Sequence, residues 1–181
     1  MENKSKTKSA VGIVYFAHGK ESGPWGAKIT HLADVAKARG FDVESPDYAG
    51  IDDPERRVEK LLTHCSSKMT NLILVGSSMG AYVATVASAN LQPRGLFLLA
   101  PAFYIEGYAQ QEPQPYAKLT SIVHGWHDDV VPVENSLKYA QRHYTELHIC
   151  DGDHRLNAQL PFITPIFTDF LDRALRVEYP S

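Results

Sequence analysis

The chain has 181 residues, 44% of them hydrophobic, and a formal net charge of −3, enough apolar content for one domain that needs no disulfide or metal to hold its core. Its lysines and arginines are spread along the chain, which argues against the clustered basic face of a nucleic-acid partner, and no run reaches the roughly 18 apolar residues of a membrane-spanning helix. Cys65 and Cys150 lie on unrelated segments without CxxC spacing, which favours free thiols in a reducing compartment such as the cytoplasm over a disulfide.

Residues 1–10 are polar and basic and read as a flexible arm ahead of a single domain over 11–181. VGIVYFA (11–17) is short for a signal-peptide core, lacks a small-residue cleavage site and runs into the turn dipeptide His18-Gly19, so it reads as the first core strand. GAKITHLADVAKARG (26–40) sets Ile29, Leu32, Val35 and Ala36 on one helical stripe and stops at Gly40, a residue suited to the left-handed turn after a helix. FDVESP (41–46) is the next strand, and Asp53 with Pro54 opens the helix of DDPERRVEKLLTHC (52–65) as N-cap and first helical residue.

NLILVG (71–76) and GLFLLA (95–100) read as buried strands on either side of the helical AYVATVASANL (81–91). The Gln- and Pro-rich FYIEGYAQQEPQPYAKL (103–119) reads as a surface loop with a short helix or as a small lid; it leaves a strand's carboxyl end, the side on which open α/β sheets bind ligands. TSIVHG (120–125) and TELHIC (145–150) are strands flanking a helix in ENSLKYAQRHY (134–144). PFITPIFTDFLDRALRVEY (161–179) closes the chain as a helix that Pro165 is expected to kink or restart. Apolar strands alternating with helices predict a three-layer α/β/α sandwich around a mainly parallel sheet of about six strands.

Gly76-Ser77-Ser78-Met79-Gly80 fits GxSxG between a strand and a helix, the setting in which a nucleophile elbow presents its central residue, here Ser78, in a strained backbone conformation. A serine hydroxyl needs a base and an acid that orients it. Two acids, Asp128 and Asp129, follow the strand TSIVHG, and His154 follows TELHIC. The other histidines fall elsewhere: His31, His64 and His143 on helical segments, His148 within a strand, and His124 before a glycine, where a structural turn role is expected. His124, His127 and Asp128 lack a second cluster with ligand spacing, so no metal is expected.

GSSMG, HGWHDDVVP and GDHRL resemble three landmarks of the α/β-hydrolase superfamily, and the chain is similar to its small, cap-less, esterase-like members. The resemblance implies a minimal α/β-hydrolase fold with Ser78 as nucleophile, His154 as base and Asp128, the fifth residue of HGxxDxxVP, as acid, with Asp129 as the alternative. It implies oxyanion donors at the backbone amides of Met79 and Lys20, the latter in the loop HGKESG. Substrate contacts are expected from His18, Gly19, Ser22, Tyr104, Trp126 and His127. The implied partner is a small-molecule carboxylic ester, without cofactor or stable membrane association. A thioesterase or amidase would use the same residues, and a non-enzymatic binding protein on this fold is the other reading. Oligomeric state is not legible.

Overall fold

The computed structural model describes residues 9–65 and 70–177. Most of the 1–10 arm lies outside the described residues. Eleven elements alternate: β1 (Gly12–Ala17), α1 (Ala27–Ala38), β2 (Phe41–Glu44), α2 (Pro54–His64), β3 (Leu72–Ser77), α3 (Met79–Leu91), β4 (Gly95–Leu99), β5 (Leu119–Gly125), α4 (Val133–His143), β6 (Glu146–Cys150) and α5 (Leu160–Arg176). The strands form one six-stranded sheet in the order β2-β1-β3-β4-β5-β6, and every pairing is parallel.

Period-two alternation assigns each strand's side chains to two cores. Val14, Phe16, Ile73, Val75, Phe97, Leu99 and Val123 face α1 and α5, where Phe167 and Phe170 pack on Phe97. Tyr15, Ala17, Leu72, Leu74, Leu96, Leu98 and Ile122 face the opposite layer with Val58, Leu61, Tyr82 and Tyr139. Since both faces are covered, the strands read as continuous apolar runs. Helix α3 is buried nearly all round, consistent with its small residues and weak amphipathicity.

Asp53 caps α2 by accepting from the Glu55 amide at 2.9 Å, and Pro54 follows as the first helical residue, as the sequence predicts. At Pro165 the expected restart does not occur: α5 continues through it as one helix. Pro165 sits early in the helix, so its missing amide removes one bond near an end, while Ile163, Phe167, Phe170 and Leu171 anchor the buried face.

The 103–119 segment contains no helix and is strapped down along its length. Phe103 stacks on Tyr139 at 4.2 Å between centroids, and the Tyr139 hydroxyl donates to the Pro113 carbonyl at 2.7 Å. Asn135 Nδ2 donates to the Phe103 carbonyl at 2.9 Å, the Tyr116 amide donates to Ser88 Oγ at 2.9 Å, and Arg142 pairs with Glu112.

The order β2-β1-β3 means that the chain leaves β1 toward one edge and returns through β3 toward the other. The loops beyond β1 and β3 therefore part at a topological switch point, where open α/β sheets form their crevice.

Candidate active site

Ser78 follows β3 at that crevice with φ 56° and ψ −121°, a conformation that costs a non-glycine residue of order 1–3 kcal/mol and persists only where the surroundings over-determine it. They do so here. The Ser78 amide donates to the Leu99 carbonyl at 2.9 Å, and the Ser78 carbonyl accepts from Ala81 at 3.0 Å and Ala102 at 3.2 Å. The flanking glycines let the strand and helix meet: a Cβ on Gly76 would lie 2.4 Å from Ala81 Cα, and one on Gly80 would lie 1.9 Å from the Ala17 carbonyl oxygen.

His154, on the loop after β6, reaches Ser78 Oγ with Nε2 at 3.0 Å and Asp128 Oδ2 with Nδ1 at 2.7 Å. A carboxylate only accepts, so Nδ1 carries the proton and the Nε2 lone pair is left for the serine hydroxyl. The Asp128 side chain is fully buried. Its Oδ1 accepts from the amides of Val130 at 2.9 Å and Val131 at 2.8 Å, so Val130-Val131 of the motif supplies backbone donors for the acid.

The second contact of Oδ2 is His124, whose Nε2 lies 2.9 Å away. His124 is buried within β5, with Nε2 also 3.0 Å from the Val131 carbonyl and Nδ1 2.7 Å from Ser136 Oγ. Both neighbours of Nε2 are acceptors, so that nitrogen holds the proton. Burial pushes the Asp128 carboxyl up, but hydrogen bonds from His124, His154 and the two amides outweigh it and hold the group far below the usual carboxylate range. The sequence reading gave His124 a structural turn role and missed this contact. Its position four residues before the acid was the available signal.

Met79 is the first residue of α3, so its amide is one of the helix's orphan donors beside Ser78. Gly19 lies opposite: a Cβ there would be 3.5 Å from Ser78 Cβ, and Ser22 Oγ lies 3.5 Å from the Gly19 carbonyl. The Lys20 side chain turns outward to Asp52 at 3.8 Å.

The expected substrate contact from His18 is corrected. Its side chain is buried, with Nε2 3.0 Å from the Tyr48 amide and Nδ1 2.8 Å from the Gly19 carbonyl, so both ring nitrogens hold the loop instead of facing solvent. His127 is drawn to the surface by Asp151 at 2.7 Å, and Trp126 is 56% exposed. Tyr104 packs against α4, with Lys138 Nζ 3.9 Å from its ring centroid. Asp129 is exposed. Lys28, in α1, ties the His154 loop through the Arg155 carbonyl at 2.8 Å; burial pushes its ammonium down to about 8, against the pull of Asp153 and Asp128. Among the described residues no cluster of His, Cys, Asp and Glu could hold a metal ion, and no helix is long and apolar enough to cross a membrane.

A model of the Uncharacterised protein family UPF0227 matches residues 12–116. No curated protein matches the chain. Among solved structures, a protein from Xanthomonas campestris pv. campestris described as a hydrolase of the α/β superfamily is 32% identical, with 91% of this chain and 99% of that chain covered and a TM-score of 0.82. Est1E from Butyrivibrio proteoclasticus is 15% identical over 94% of this chain and 91% of that chain, with a TM-score of 0.78. An α/β serine hydrolase without a lid, also from Xanthomonas campestris, is 19% identical over 97% of this chain and 88% of that chain, with a TM-score of 0.71. The last two likenesses speak to the fold. With the sheet order, the elbow and the first of these relatives in agreement, the chain belongs to the α/β-hydrolase superfamily and, within it, to the Uncharacterised protein family UPF0227.

Proposed function

We propose that the protein is a serine hydrolase that cleaves carboxylic esters through an acyl-enzyme. The observation that carries this reading is the continuous contact from Ser78 Oγ through His154 to Asp128, at 3.0 and 2.7 Å, with the histidine in the tautomer that leaves Nε2 basic. As Oγ attacks the ester carbonyl, His154 Nε2 takes its proton, and Asp128 stabilises the imidazolium that forms. The carbonyl π pair moves onto oxygen, where the amides of Met79 and Lys20 receive the oxyanion. Collapse expels the alcohol, which takes the proton from His154. A water activated by His154 then releases the acid and restores Ser78.

An ester is favoured over a thioester or amide by the resemblance to cap-less esterases. No cofactor enters the scheme. Two free, buried cysteines fit work in the reducing cytoplasm. Est1E has been solved with ferulic acid bound, so aromatic acyl esters belong on the substrate panel beside p-nitrophenyl esters of increasing chain length, thioesters and amides.

A fluorophosphonate probe tests the assignment. Labelling of the native protein is expected to vanish in Ser78→Ala together with ester turnover. Labelling that persists in the variant would remove Ser78 from the mechanism, and a native protein inert to probe and panel alike would favour a binding role for the fold.

A further inference from the structure

We infer that Arg57 and His18 are positioning residues that preset the oxyanion loop by holding the Gly19 carbonyl on the buried side of the chain, which turns the Lys20 amide toward Ser78; the inference rests on the serine-hydrolase reading above. Arg57 projects from α2 and is 2% exposed. Its Nε donates to the Ile51 carbonyl at 2.6 Å, and its Nη1 lies 3.3 Å from the carbonyls of both His18 and Gly19. Among the described residues no carboxylate stands within ion-pair distance of it. Burying a cation is a costly packing choice; Arg57 stands over the Tyr48 ring at 5.3 Å and feels the charge of Asp52, and its Nη1 is directed at the loop facing the nucleophile.

The Tyr48 amide can only donate, so His18 Nε2 must be the acceptor in that contact and Nδ1 must carry the proton given to the Gly19 carbonyl. Burial lowers the basicity of His18, and the nearby Arg57 charge adds to that, in keeping with a neutral ring.

The Gly19 carbonyl and the Lys20 amide belong to one planar trans peptide and point in opposite directions. With Ser22 Oγ, a longer third donor at 3.5 Å, His18 and Arg57 on the carbonyl therefore fix the amide's direction. A cationic donor also polarises the peptide and makes the amide a stronger donor. Gly19 completes the arrangement, since a Cβ there would lie 3.5 Å from Ser78 Cβ.

The wild-type protein supplies the first test. Imidazole 15N chemical shifts of His18 should report a neutral ring protonated at Nδ1; protonation at Nε2 instead would overturn the inference. Kinetics supplies the second. In Arg57→Met, kcat for the best ester is expected to fall about 10- to 100-fold with KM held within about twofold, somewhat less than the loss of an entire oxyanion donor. Arg57→Lys should fall between Met and wild type, and it carries the comparison if the Met variant does not fold.

An aryl trifluoromethyl ketone separates oxyanion binding from general damage. Ser78 Oγ adds to its carbonyl carbon, the hydroxyl proton passes to His154, and the π pair becomes an oxyanion. Its affinity should fall by the same factor as kcat. Unchanged kcat and ketone affinity in the Arg57 variants, with Ser78→Ala inactive, would overturn this inference alone. Turnover surviving in Ser78→Ala would instead overturn the mechanism on which it rests.

Discussion

His124 Nε2 lies 2.9 Å from Asp128 Oδ2, the same oxygen that His154 Nδ1 meets at 2.7 Å. Two imidazoles thus share one carboxylate oxygen, one at the crevice and one wholly inside the protein. The inner ring has its Nε2 proton directed at acceptors, so it acts as a fixed donor that helps keep Asp128 ionised and in place. His124→Leu is expected to lower kcat about tenfold or more and to destabilise the fold by about 2–4 kcal/mol, because it leaves part of a buried carboxylate unsatisfied. His124→Gln, which can return an N–H near the Nε2 position, should recover part of both. Steady-state kinetics beside urea unfolding would check this, and a Leu variant with wild-type kcat would remove His124 from the acid's support.

The two adjacent acids should separate cleanly. Asp128 is buried with four donors, whereas Asp129 is exposed. Asp128→Asn should reduce kcat by about 10⁴-fold, because the amide no longer dictates the reactive tautomer, and Asp129→Asn should stay within about twofold of wild type.

Stability should show the same asymmetry with pH. The Asp128 carboxyl is depressed in the folded state below its ordinary value of 3.8, so its stabilising contribution is fully present above that value and is lost as pH falls toward the folded one. The difference in unfolding free energy between wild type and Asp128→Asn should therefore be level from about pH 6 to 8 and shrink below about pH 4. A difference that grew on acidification would contradict the sign.

Gly80→Ala places a methyl carbon 1.9 Å from the Ala17 carbonyl oxygen, and neither backbone can yield without parting α3 from β1. The variant is expected to lose about 4 kcal/mol or more, or to accumulate as insoluble protein, since overpacking against backbone has no side-chain escape. Calorimetry showing a melting temperature within about 2 °C of wild type would mean that the elbow is looser than this contact implies.

Tyr139→Phe tests the strap over 103–119. Deleting the hydroxyl that bonds the Pro113 carbonyl should cost about 1 kcal/mol, or roughly 2–4 °C in melting temperature for a chain of this size. Limited proteolysis should then cut faster within 103–119 than in wild type, while the core strands stay protected. Cleavage at an unchanged rate would show that the remaining ties hold the segment unaided.

The strand-helix alternation, the turn at Ser78 and the presence of acids and His154 after later strands were legible from local signals: apolar runs, glycines where backbones approach, and turn residues after strands; Asp128 was set apart from Asp129 only by the resemblance of HGWHDDVVP to a family motif. Pro165 misled because its effect depends on where a helix begins and on how firmly its face is buried. His18 looked like a ligand contact from its place beside Gly19, yet the Tyr48 amide, thirty residues away, turns its ring inward. Arg57 gave no signal at all. Beside Arg56 on a polar helix it resembles a solvated charge, and only the packing of α2 beneath the β1 loop brings its guanidinium to the Gly19 carbonyl. The candidate site residues were thus named by local signals and a motif resemblance. Which oxygen each buried donor holds is decided by contacts between distant segments, and the tertiary fold alone determines those.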